Sequence, residues 1–149
     1  MHAHVVKTGL FGPTLRLAQL QNGDTATLAA LFPRLTPSEL ACLASEDARH
    51  HTVVAWVDGD PRPAGMARLV RDGDGAEIAF TVADEHRGKH VGTTLARELL
   101  ADARAAGIAF VTATIDGSNR AALALLRRTT RITSVRPADG VLTVKATLH

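Results

Sequence analysis

The sequence predicts one α/β domain: a mixed, mostly antiparallel sheet flanked by helices, with a single parallel strand–helix–strand crossover. Three observations carry that expectation. Short β-branched and apolar runs separated by Asp-Gly turns, over residues 52–82, read as a three-stranded antiparallel meander. An amphipathic stretch over 92–106 between two strand-like runs reads as a right-handed crossover joining parallel strands. The length, 149 residues, fits one ordinary domain and is short for two, and 46% hydrophobic with 21% charged residues can fill one core.

The elements follow in order. Residues 1–12 show no periodicity and stop at Gly12-Pro13, so they are expected to be a flexible N-terminal extension to a domain spanning 13–149. Leu15 and Leu17 alternate with Arg16 and Ala18 in a first strand over 14–19. Asn22-Gly23 breaks it, and Asp24 is placed to cap a helix over 25–32. Thr36-Pro37-Ser38-Glu39 is a capping box with proline at the first helical position, opening a helix to about residue 44. The meander strands are 52–57, 64–70 and 76–82, with Asp58-Gly59-Asp60-Pro61 and Asp72-Gly73-Asp74-Gly75 as turns. Leu95, Leu99, Ala103 and Ala106 make the buried stripe of the long helix, which Gly107 stops. A β-branched strand over 110–115, a helix over 119–128, and strands over 132–135 and 141–148 complete the chain.

Several functions are excluded at the level of composition. A net charge of +2 with acids interspersed among the bases, and 3% aromatics with no tyrosine, do not describe a nucleic-acid surface. No apolar run approaches a membrane span. The first residues, Met1-His2-Ala3-His4, lack a signal-peptide pattern and Cys42 is alone, so the expected compartment is the cytoplasm. Cys42 is read as packed on an apolar helix face, and Trp56 as strand packing. His50-His51 is read as a loop pair; no Cys or carboxylate set completes a metal site around it, and no metal is expected.

The chemistry lies between the third meander strand and the long helix. There Arg87, Gly88, Lys89, His90, Val91, Gly92 and Thr93 form a small, basic loop ahead of a helix start. Free amides in the first helical turn, the positive end of the helix dipole and two basic side chains together suit a phosphate or pyrophosphate. The loop has no Walker-type run. It also lacks the third glycine of a dinucleotide fingerprint, and the antiparallel meander ahead of it does not suit that fold.

This order of elements and this loop resemble the GNAT N-acetyltransferase superfamily over about residues 14–148. The family's loop runs Arg or Gln, two residues, Gly, one residue, then Gly or Ala. Arg87 and Gly92 match it, and His90 stands where glycine is usual. Asn119, in Asp116-Gly117-Ser118-Asn119-Arg120-Ala121, matches the family's second motif, where the residue contacts or positions the pantetheine arm. The resemblance implies acetyl-CoA as cosubstrate, with the arm pairing to the strand end Phe80-Thr81-Val82 as an added strand. It further implies an amine acceptor (small molecule, peptide or protein lysine) attacking the thioester directly. Val82 N–H is then the expected oxyanion donor and Glu77 the general base, because the phrase Ala76-Glu77-Ile78-Ala79-Phe80 looks like strands that carry a glutamate base. Glu85 and His86 are alternative bases, read as exposed loop residues. The tyrosine that family members often carry seven residues after the asparagine is here Leu126, which motivates a non-catalytic acyl-CoA sensor as the alternative. A positive φ at His90 is expected to be uncomfortable, so its side chain is read as outward-pointing with its backbone N–H still donated. Arg127, Arg128 and Arg131 are read as a solvated face, with a hold on the 3′-phosphate of CoA as the alternative. Sheet edges leave a homodimer open.

Overall fold

A computed structural model describes residues 4–7, 13–88 and 90–148. Its centre is an eight-stranded sheet in the order β1-β2-β3-β4-β5-β6-β8-β7. The strands are β1 (His4–Lys7), β2 (Thr14–Gln19), β3 (His50–Val57), β4 (Pro63–Asp72), β5 (Gly75–Val82), β6 (Phe110–Asp116), β7 (Arg131–Ala138) and β8 (Val141–Thr147). All neighbours are antiparallel except β5 and β6, the pair joined by the predicted crossover. The helices are α1 (Thr25–Leu31), α2 (Pro37–Leu43), α3 (Val91–Ala105) and α4 (Arg120–Thr129), with a short 3₁₀ turn at Asp84–His86.

The two sheet faces bury separate cores. Alternation along β3 sends Val53 and Ala55 one way and Val54 and Trp56 the other. The first set joins Leu69, Ile78, Val111 and Val144 beneath α3, whose buried stripe is Val91, Leu95, Ala96, Leu99, Leu100 and Ala103. Ala106, expected on that stripe, is the C-cap and exposed, because the helix ends one residue before it. The second set packs with Met66, Leu28 and Leu40 beneath α1 and α2. Helix α3 lies directly on β4 because of Gly65: a Cβ there would stand 2.6 Å from Thr81 O and 3.1 Å from Leu95 Cδ1.

Caps form as the sequence dictates. Asp24 accepts from Thr27 N, and Thr36 and Glu39 complete the reciprocal box. Asp139 and Gly140, both at positive φ, turn β7 into β8.

Several readings are corrected. Residues 4–7, taken as part of a flexible extension, pair with β2 from His4↔Leu17 to Lys7↔Thr14. A four-residue edge strand is held by its ladder and is too short to show alternation; residues 1–3 and 8–12 lie outside the described residues. Cys42 is exposed. The His50-His51 pair opens β3 instead of forming a loop. Arg104 and Asp102, on the outer side of α3, both find partners. Arg104 donates to Leu148 O and Thr129 O, and Asp102 Oδ2 lies 2.8 Å from His51 Nε2.

His51 also approaches Glu46, 3.9 Å away, whose side chain is 7% exposed. Glu46 Oε2 accepts from Gln19 while Oε1 is buried without a partner. Burial pushes this carboxyl above its usual range, against the opposing bonds from Gln19 and Thr52. A carboxyl raised by folding stabilises most when protonated, and that contribution is lost as pH rises through the folded value. Glu46→Gln is therefore expected to stabilise the fold near pH 7 by about 1 kcal/mol, with the gain vanishing near pH 4. Thermal melts of both proteins at the two pH values measure this.

Candidate acyl-coenzyme site

The sheet opens where β5 and β6 part. Their parallel ladder runs Gly75↔Phe110, Ala76↔Val111, Glu77↔Thr112 and Ile78↔Ala113, then ends. Beyond it β5 stays with β4 as far as Gly65↔Val82, and β6 stays with β8 as far as Asp116↔Val141. Ala83 N donates to Ala64 O on the β4 side. Period-two alternation therefore aims the N–H and C=O of Phe80 and Val82 into the gap.

Helix α3 starts at the mouth of that gap. A Cβ on Gly92 would lie 3.5 Å from Val82 Cγ2 and 3.9 Å from Leu125 Cδ2. Asp24, Thr36 and Asn119 cap the starts of α1, α2 and α4 with side-chain oxygens. The start of α3 has no side-chain cap and no acid in its first turn. The amides of Val91, Gly92 and Thr93 thus lack intrahelical acceptors, at the positive end of a fifteen-residue dipole.

The residues before them turn the chain so that it can do this. Gly88 has φ 77° and His90, the N-cap residue, has φ 63°. The left-handed conformation at His90 corrects the expectation that histidine would avoid it. His90 O accepts from Thr94 N and Thr94 Oγ1, which hold the residue there. Arg87 is exposed and its Nε lies 3.2 Å from Asp84 Oδ1, a surface ion pair that any anion at this loop would have to share.

On the opposite wall, Asp116 Oδ1 accepts from Ser118 N and Oγ, bonds that hold its carboxyl below the usual range. That turn delivers Asn119, whose Oδ1 caps α4 through Ala122 N at 3.1 Å. Together these walls enclose a cleft of about 690 Å³.

Of the predicted coenzyme residues, Phe80, Thr81, Val82, Arg87, Gly88, His90, Val91, Gly92, Thr93 and Asn119 all line this one cleft. Lys89 lies outside the described residues. Glu77 is not part of the lining. It is exposed on the other sheet face, next to the last rungs of the β5–β6 ladder. Two further residues line the cleft: Arg128, exposed as a solvated face requires, and His86, which was assigned to an exposed loop and is buried instead. His86 is 8% exposed. Leu126 is 1% exposed within the α3-side core and Leu125 faces the cleft.

The acetyltransferase (GNAT) family matches residues 17–129. The chain therefore belongs to the GNAT acetyltransferase family, whose members in general draw an acyl group from a coenzyme A thioester. Its fold is similar to the GNAT domain of S. lividans PAT, with TM-score 0.81 and 20% identity over 97% of this chain and 96% of that one. It is also similar to an N-acetyltransferase from Staphylococcus aureus Mu50, with TM-score 0.76 and 18% identity over 91% and 99%. A third likeness is to a cAMP-binding acyltransferase from Mycobacterium smegmatis, with TM-score 0.74 and 22% identity over 99% of this chain and 48% of that one. This chain thus spans about half of that protein's length. No curated protein matches significantly.

The strained N-cap yields a stability test. A non-glycine residue in the left-handed region costs about 1 kcal/mol. His90→Gly is expected to raise the unfolding free energy by about that amount in urea titrations.

Proposed function

We propose that the protein is an acyl-CoA-dependent N-acyltransferase that moves an acetyl group from coenzyme A to a primary amine. The observation that supports it best is the convergence of an open strand edge and an uncapped helix start in one cleft. A carrier with linked phosphates at one end and an amide-bearing arm at the other is complementary to both features.

In this reading the amides of Val91, Gly92 and Thr93, with Arg87 and Lys89, hold the pyrophosphate. Because Gly92 packs against Val82, the arm must run past Val82 towards the closed end of the gap. Val82 N–H and C=O then pair with the arm's amides. The oxyanion donor expected at Val82 moves one pleat deeper, to Phe80 N–H, about 7 Å nearer the closed end. Asn119 positions the wall facing the arm through its cap on α4.

The bound thioester supplies the electrophilic carbonyl. The amine approaches from the α1–α2 face, where Glu77 stands beside the last rungs of the β5–β6 ladder. Glu77 takes the proton that the amine must lose, directly or through a water, while Phe80 N–H donates to the oxygen that gains charge. Leu126 lies in the core and offers no proton to the departing sulfur, which leaves that transfer to solvent.

Calorimetry with CoA and acetyl-CoA tests the site. The wild type should bind in the micromolar range. Gly92→Ala, whose methyl fits beside Val82 and Leu125, should retain binding within severalfold, and Gly92→Trp should abolish it. Equal affinity in the tryptophan variant would remove the cleft from consideration. Thiol release against a panel of small amines and amine-bearing peptides tests the chemistry. Glu77→Gln should lose about a hundredfold in turnover at neutral pH, and a full rate at every pH would exclude Glu77 as base. Tight coenzyme binding with no thiol release on any amine would favour the second reading, a non-catalytic acyl-CoA sensor, which the burial of Leu126 motivates.

A further inference from the structure

We infer that His86 couples coenzyme binding to proton uptake: phosphate bound at the start of α3 draws a proton onto its imidazole, and Asp60 then holds the charged ring. This rests on the reading above, that the cleft takes a phosphate-bearing thioester carrier.

His86 directly precedes the phosphate loop and lines the cleft, yet its ring is buried. Nδ1 is inaccessible and has no partner. Nε2 lies 3.8 Å from Asp60 Oδ2, beyond hydrogen-bond reach. A neutral imidazole offers one N–H and one lone pair, and here neither is satisfied. Buried polar atoms in that condition are uncommon and costly, and a binding event that satisfies them recovers the cost.

Asp60 is set to do so. It sits in the β3–β4 turn with Oδ1 accepting from Arg62 N at 2.9 Å, which leaves Oδ2 towards the ring. A shift of about 1 Å closes the gap to a charge-assisted bond.

The surrounding charges explain why a phosphate would drive this. The 3₁₀ turn contributes Asp84 and Glu85, both exposed, and Asp84 already pairs with Arg87. The β3–β4 turn contributes Asp60 and Arg62, the loop His90, and α4 Arg128 across the cleft. Lys89 lies outside the described residues. With Arg87 partly neutralised by Asp84, a pyrophosphate gains from a further positive charge, and His86 is the buried group able to supply one. Proton binding and phosphate binding then favour each other reciprocally. Affinity should therefore rise as pH falls.

The test is calorimetric titration near pH 7 in buffers of different ionisation enthalpy. The dependence of the observed heat on the buffer gives the protons taken up per ligand. Dephospho-CoA is the main probe, because it keeps the pyrophosphate but lacks the 3′-phosphate monoester, which itself titrates near pH 6. CoA is run beside it. The wild type should take up a substantial fraction of a proton, His86→Gln should take up close to none, and Asp60→Asn should fall between. His86→Asn serves if the glutamine variant melts early. Binding without uptake in the wild type overturns the inference, as does uptake that persists in His86→Gln and disappears in His90→Asn. Failure of both ligands to bind would instead overturn the assignment of the cleft.

Discussion

Two strands that share a ladder for four rungs and then separate must leave backbone groups without partners, and the whole site depends on that separation. Each strand has another neighbour that keeps it in place. Strand β5 runs on beside β4 to Val82, and β6 runs on beside β8 to Asp116. The opening is therefore laddered on both outer sides. Hydrogen-bonding groups at its rim are fixed in direction before any ligand arrives, which lowers the ordering cost of binding. The same divergence makes room for α3 to begin at the rim with its first amides bare.

The sheet also divides the work between its faces. The cleft lies at the gap and on the α3–α4 side, while α1 and α2 cover the other face with their own core. Arg68 ties α2 to that face. It is 8% exposed and donates to Leu43 O, Thr52 Oγ1 and Cys42 O. No carboxylate is among those partners; carbonyls at the C-terminal end of α2 take that place, where the helix dipole favours a cation. A helix of seven residues gains a fixed orientation from a side chain on the neighbouring sheet.

Local chemistry was legible where a residue acts on its own backbone. The Thr36–Glu39 box, the Asp139-Gly140 turn and the basic loop ahead of α3 are all readable from neighbouring letters. Nearly all the residues chosen on that basis as coenzyme contacts meet in one cleft, because the loop, the strand end and the Asn119 turn follow consecutive strands of one sheet. Properties set by distant partners were not legible. His86 looks like a solvated loop residue until the β3–β4 turn folds over it. Cys42 sits on a helix whose apolar side is decided by Leu40 and Met66. The usual glycine at the position of His90 hints at a positive φ, yet the histidine itself argues against one; the turn that aims the amides of α3 decides it. Glu77 was named as a base from the resemblance alone, and its separation from the cleft lining follows from alternation along β5.

The tip of the β7–β8 hairpin meets the turn that leads into α4. Gly140 O accepts from Gly117 N at 2.8 Å, and a Cβ on Gly117 would stand 2.8 Å from that same oxygen. Gly117 lies in the turn that carries Ser118 and Asn119 into the cleft wall. The hairpin tip thus acts as a doorstop for the entry to α4, although it belongs to the edge of the sheet. A longer or shorter tip would reset how far that wall stands from α3, and so the width of the cleft, without altering any residue that lines it.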